Sequence, residues 1–260
     1  MVCIGTSGYS YEDWVGLFYP EGTNKRDFLG YYAERFECVE VNYTYYRMPE
    51  ARTLEAMSAK TPPGFRFVVK ANQEMTHQRE ETDPALFEAF IAALDPLREQ
   101  NKFGCVLAQF PHSFGLSQHN VDYLKHLRGL MHGVPVVVEF RNREWIRDEM
   151  FAFLREASFG FCCVDQPRFD SLVPPVAEAT STIGYVRYHG RNADKWWQHD
   201  EAWERYNYLY SREELAEWVP KVRELAAQTE DTYLFFNNHY HAQAVQNAMD
   251  FADLLGESEG

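Results

Sequence analysis

The sequence predicts one (β/α)8 barrel, a TIM-like α/β fold, with a polar site at the carboxyl ends of its strands. Three observations predict it. Eight short apolar, β-branched or aromatic runs alternate with stretches of helical period. The length of 260 residues suits one such barrel. Nearly every strand-like run ends in polar or charged residues, at the end where barrel enzymes carry their active sites.

The strand-like runs are 2–7, 38–42, 65–71, 104–110, 134–141, 160–165, 183–189 and 232–238. Helical patterns fall at 25–36, 51–60, 84–100, 117–130, 147–157, 212–228 and 242–255. Thr82-Asp83-Pro84 supplies a cap and a first-turn proline. Ser211 with Glu214 three residues on reads as a capping box. The sixth helix is degenerate, because 166–182 holds Pro167, Pro174 and Pro175 and no clear period. An aromatic-rich flap follows the seventh strand at 192–210, with Trp196, Trp197 and Trp203. It reads as a lid, a platform for substrate, or a cover for the rim. The whole chain, 1–260, forms one domain with a core over about 2–255 and a short tail. An open doubly wound sheet is the alternative, but Gly5-Thr6-Ser7-Gly8 lacks the G-x-G-x-x-G spacing of its phosphate loop.

The net charge of −14 argues against extended nucleic acid and acidic membrane surfaces, which call for clustered cations. It leaves room for a small cationic pocket. The five cysteines are odd in number, lack a C-x-x-C pair and sit in strands, so they read as buried reduced thiols. No signal-like segment opens the chain and no apolar run reaches the ~18 residues of a membrane span. A cytoplasmic location with no membrane partner is the expectation.

Parity sharpens the site. Residues two apart on a strand share a face, so Glu40 pairs with Asn42, Glu139 with Arg141, and Arg187 with His189. A charge inside a helix-covered strand is costly unless paired or facing water. Pointing these pairs into the barrel mouth solves that problem, and so does a buried ion-pair network without chemistry. The candidate catalytic groups are Glu40, Glu139, Asp165 and His189 as bases and proton shuttle. The candidate substrate-binding groups are Thr6, Asn42, Lys70, Gln109, Arg141, Arg187 and Asn237, with Tyr45, Trp145 and Trp196 as aromatic surfaces.

These residues lie within motifs that run through the chain. Ile4-Gly5-Thr6-Ser7-Gly8-Tyr9, Asp13-Trp14 and Phe18-Tyr19-Pro20 open it. Val39-Glu40-Val41-Asn42, Gln109-Phe110-Pro111, Val138-Glu139-Phe140-Arg141, Tyr185-Val186-Arg187-Tyr188-His189-Gly190 and Phe236-Asn237-Asn238 follow in order at barrel spacing. From Ile4 to about Leu255 the sequence resembles the YecE-like family, the proteins that share domain of unknown function 72. The resemblance implies a TIM-like barrel and carries no assigned reaction. Many members have an acidic residue after the paired asparagines, where this chain has His239. A carboxylate role there does not transfer.

Three cations from three strands, Lys70, Arg141 and Arg187, favour an enzyme of hydrolase or lyase type. It would act on a small anionic substrate, with a phosphate-bearing one in first place. A carbohydrate-active hydrolase using Glu40 and Glu139 is the alternative, and pairing of both with Arg would count against it. A metal-dependent hydrolase and a non-catalytic anion-binding protein are the other readings. The residues name no cofactor and leave metal and oligomeric state open.

Overall fold

Eight parallel strands hydrogen-bond in chain order and close into a barrel in the computed structural model, which describes residues 1–79, 83–201 and 203–257. The strands are β1 (Val2–Ser7), β2 (Cys38–Val41), β3 (Arg66–Lys70), β4 (Phe103–Gln109), β5 (Val136–Glu139), β6 (Phe159–Asp165), β7 (Ile183–Tyr188) and β8 (Asp231–Phe236). Closure comes from the pairing of β1 with β8, where Val2 meets Thr232 and Thr6 meets Phe236. A closed parallel barrel has no edge strand and needs helices on its outside.

The helices are α1 (Phe28–Tyr32), α2 (Tyr43–Tyr46), α3 (Ala51–Ser58), α4 (Gln73–Thr76), α5 (Pro84–Ala93), α6 (Asp95–Glu99), α7 (Gln118–Leu130), α8 (Asp148–Glu156), α9 (Arg212–Ala216), α10 (Val219–Gln228) and α11 (Gln243–Glu257). Two expected long helices are split. Pro96 and Pro220 each sit in the first turn of the second piece. Proline has no N–H to give the preceding turn and collides with the carbonyl four residues back, so the chain restarts there. The capping box at Ser211 and Glu214 forms, and Asp83 caps α5 through the Ala85 amide. Thr82 lies outside the described residues. No helix occurs between β6 and β7 among the described residues; the proline-bearing segment is irregular, with a turn at Asp170 and Ser171 and a single bridge from Leu172 to Asn142.

One irregularity matters for the site. Phe67 pairs with Phe103, but Val69 pairs with Val106, so β4 carries one extra residue opposite Val68. Such a bulge resets which face the later residues occupy. It falls at Gly104, where a Cβ would come within 2.9 Å of the Tyr233 hydroxyl. Beyond the bulge Gln109 lies level with Glu139. All five cysteines are free and buried. No helix of the described residues is long and apolar enough to cross a membrane.

Candidate functional site

Strand alternation sends one set of side chains inward and the other against the helices. On β7, Tyr185, Arg187 and the following His189 point inward, while Tyr188 stacks outward on Phe236 and packs against Trp218. In parallel neighbours, residues level with each other share a face. Ser7 is level with Glu40, and Val164 with Arg187.

The inward residues build a closed ionic layer under the mouth. Arg187 is 2% exposed. Its Nη1 donates to Glu139 Oε2 at 2.6 Å and its Nη2 to Glu40 Oε1 at 2.7 Å. The Tyr185 hydroxyl donates to the other oxygen of Glu40 at 2.7 Å. Arg141 Nε meets Glu139 Oε1 at 2.8 Å, and its Nη1 donates to Gln166 at 3.3 Å. Burial alone would raise the Glu139 carboxyl; the charges of Arg141 and Arg187 and the hydrogen bond from His189 outweigh it and hold Glu139 well below the usual carboxylate range. Burial likewise disfavours the Arg187 cation, and Glu139 and Glu40 reverse that.

His189 is fixed between two partners. Its Nε2 lies 3.0 Å from Glu139 Oε1, and Asn237 Nδ2 lies 3.1 Å from its Nδ1. Glu139 is a carboxylate and can only accept, so Nε2 carries the proton and Nδ1 accepts from the Asn237 amide. Burial, followed by the charge of Arg141, lowers the His189 pKa to about 3. A neutral ring with both nitrogens occupied positions Glu139 and has no free nitrogen for shuttling protons.

Above this layer a cleft of about 260 Å3 opens at the carboxyl ends of the strands. Arg141, Arg205, His77, His112 and Gln109 line it, together with Trp196, Trp197 and Tyr206 of the flap. No Asp or Glu among the described residues lines it. The Trp196 ring lies under both guanidinium groups, 5.9 Å from Arg141 and 5.4 Å from Arg205. Burial lowers the His77 pKa to about 4, and the charges of Lys70, Arg141 and Arg79 push the same way. The local field is therefore positive in a chain of net charge −14. Lys70, at the end of β3, places its ammonium 4.8 Å from the Tyr45 ring centre. Burial and then the Arg187 charge lower its pKa to about 8. Tyr45 also meets His77 edge-on at 5.0 Å.

A larger cavity of about 620 Å3 opens at the amino ends of β5 to β7. Its cations are already committed: Arg128 donates to the carbonyls of Met131 and Val134, and Arg155 pairs with Glu178. The amino face of such barrels serves stability, so size does not make this cavity the better candidate.

The family model described as protein of unknown function DUF72 matches residues 3–260. The chain belongs to the DUF72 family. It is 34% identical to the UPF0759 protein YunF of Bacillus subtilis over 98% of this chain and 95% of that protein. A DUF72 family protein of Thermotoga maritima shares 41% identity and superposes with a TM-score of 0.91, covering 98% of this chain and 99% of that one. Another, from Enterococcus faecalis, shares 28% identity with a TM-score of 0.88 over 98% and 96% of the two chains.

On this DUF72 barrel, Glu40, Glu139, Arg187, His189, Asn237, Lys70, Arg141 and Gln109 gather at or below the mouth, with Tyr45 and Trp196 at its rim. Asn42 follows β2 and is half-buried, its Oδ1 without a hydrogen-bond partner among the described residues. Three expected site residues lie elsewhere. Thr6 points outward and bonds Tyr32 of α1. Asp165, level with Tyr188, also points outward. It binds Arg191 through both oxygens, each at 2.8 Å, and accepts from Tyr210 and Trp218. Trp145 is buried beneath the outer layer, stacked 4.3 Å from Phe140 with its Nε1 donating to the Phe114 carbonyl. One further expectation changes. Arg187 faces inward but spends its guanidinium on Glu139, Glu40 and Ser7. Among the described residues no cluster of three His, Cys, Asp or Glu could hold a metal ion.

Ser7, Tyr185, His77 and Arg205 stand at the site without having been among the expected residues. Ser7 and Tyr185 were findable by register, since Ser7 is level with Glu40 and Tyr185 is two residues before Arg187. His77 and Arg205 sit on loops, where no periodicity gives direction.

Proposed function

We propose that this protein is an enzyme acting on a small anionic substrate, carboxylate- or phosphate-bearing, held in the cleft at the carboxyl mouth of the barrel. One observation carries the reading: in a chain of net charge −14, the cleft is lined by two guanidinium groups and two histidines and by no carboxylate among the described residues. Arginine forks match carboxylate and phosphate oxygens. Trp196 under both forks supports their planes and excludes water from one side. The ionic layer below fixes Arg141 through Glu139 before substrate arrives, so little reorganisation is needed on binding.

A glycosidase would need Glu40 and Glu139 free to flank a bond. Both close on Arg187 instead, which weighs against that alternative. The group at the mouth best suited to proton transfer is Lys70, whose pKa of about 8 lies near neutral pH.

Calorimetric titration of the full chain with inorganic phosphate and with small dicarboxylates tests the proposal. Saturable binding is expected, weakened roughly tenfold by Arg205→Ala, the loss of one charge-assisted contact of about 1.4 kcal/mol. Absence of binding by every anion in the panel refutes it. Binding without turnover of any phosphate ester or carboxylate would reduce the enzyme to an anion-binding protein.

A further inference from the structure

The chain has seven lysines, and six of them have partners. Lys25, Lys125 and Lys195 pair with carboxylates. Lys60 and Lys221 donate to backbone carbonyls, and Lys102 to the carbonyls of Ser58 and Thr61. Lys70 has no hydrogen bond or ion pair among the described residues. It is half-buried at the carboxyl end of β3. Glu40 and Glu139 are the negative charges that act on it, and both are closed on Arg187. A covered ammonium without a counter-ion is costly, and release of its proton relieves that cost. The aromatic face of Tyr45 and the edge of His77 bound the space around it.

We propose that Lys70 is a nucleophile that forms an imine with a small carbonyl compound bearing a carboxylate or phosphate group. The inference rests on the reading of the cleft as an anion site, with Arg141 and Arg205 taking the anionic end. The neutral amine attacks the carbonyl carbon, forming the C–N bond as the C=O electron pair moves to oxygen. The oxygen takes the proton that the amine loses, giving a carbinolamine. Loss of that hydroxyl as water, with a second proton, leaves C=N. Counted from the ammonium, ammonium plus carbonyl gives iminium plus water, and no further reagent is consumed. At pH 7 roughly a tenth of such an amine is neutral, against a few parts in ten thousand of an ordinary lysine.

The test incubates the full-length protein with sodium borohydride and, separately, pyruvate, dihydroxyacetone phosphate or acetone. Intact mass and peptide mapping read the adduct. Pyruvate or dihydroxyacetone phosphate is expected to give one reduced adduct on Lys70, formed at least tenfold faster than on any other lysine. Acetone gives none at that site, inorganic phosphate slows the labelling, and Lys70→Arg abolishes it. Peptide mapping of the wild type keeps the test independent of how the variant folds. Adducts spread evenly over the lysines, or none with any probe, overturn the proposal. If phosphate still binds while no probe is trapped, the imine falls and the anion site stands; if neither occurs, both fall.

Discussion

Replacing Arg187 with methionine tests the ionic layer most directly. The guanidinium is 2% exposed and holds two fully buried carboxylates, at 2.6 and 2.7 Å. Methionine fills similar volume but strands both carboxylates. Breaking a buried pair costs about 3–5 kcal/mol. In a domain of this size each kcal/mol moves the melting temperature by about 2–4 °C, so a drop of roughly 6–20 °C is expected. The pH dependence gives a second signature. In the wild type Glu139 is held well below its ordinary value of 4.5. Its contribution is therefore complete above that ordinary value and is lost as pH falls through the depressed folded value. Without Arg187 the pKa of Glu139 rises, the native state takes up the proton more readily, and acidification relieves the variant. The gap between the two proteins should narrow from pH 7.5 to pH 5. His189, whose pKa is lowered to about 3, destabilises the native state below about pH 6.5 in both proteins and largely cancels in the difference. Calorimetric melts at the two pH values measure all of this. A drop under about 3 °C, or a gap that stays constant or widens on acidification, refutes the reasoning. The triple variant Glu40→Gln, Glu139→Gln, Arg187→Met should recover more than half of the loss, because no buried charge is left unpaired.

His189 should remain neutral and Nε2-protonated from pH 5 to 8 in nitrogen-detected NMR; an imidazolium above pH 5 contradicts its bonding to Glu139 and Asn237. Asp165→Asn should cost about 2–3 kcal/mol, reduced from the full buried-pair cost because Arg191 keeps Glu217. It should leave phosphate affinity within about twofold, and a larger change would return Asp165 to the site. Gly104→Ala should cost about 1–3 kcal/mol by overpacking against the Tyr233 hydroxyl, with Tyr233→Phe relieving part of it in chemical denaturation.

The barrel was legible because eight apolar runs and their polar ends repeat one physical constraint. Shared-face parity correctly grouped Glu139 with Arg141, and Arg187 with His189, because the spacing of two survives any error in strand ends. Parity within one strand does not reveal which face points inward. Thr6 and Ser7, one residue apart, are therefore equivalent in sequence, while in the fold Ser7 takes the inner face and Thr6 the outer. Asp165 misled for the same reason: a buried carboxylate at a strand end reads the same whether its cation stands inside the barrel or, like Arg191, outside it. Trp145 follows Glu139 and Arg141 closely in sequence but stacks on Phe140, which has the opposite parity. Arg205 depends on the path of the flap, which a non-periodic sequence leaves unspecified.

The coupling between Lys70 and a bound anion yields a test that separates charge from shape. In the layer below the cleft, Arg141 and Arg187 are balanced by Glu139 and Glu40, and His189 is neutral. Lys70 therefore sets the sign of the charge that this layer presents to the mouth. Its pKa is about 8 in the free protein, lowered by burial and Arg187 against the pull of Glu40 and Glu139. An anion bound nearby favours the ammonium and raises that pKa, so binding takes up a proton above about pH 8 and weakens as pH rises. Sulfate is the suitable probe, since its own charge is constant over this range. Loss of one screened charge contact near 5 Å is worth about 1.4 kcal/mol, and sulfate should bind roughly tenfold more weakly at pH 9.5 than at pH 7. Lys70→Met should bind weakly at both pH values and lose the slope. A wild-type affinity flat across that range, or a slope that persists in Lys70→Met, would remove Lys70 from the anion site.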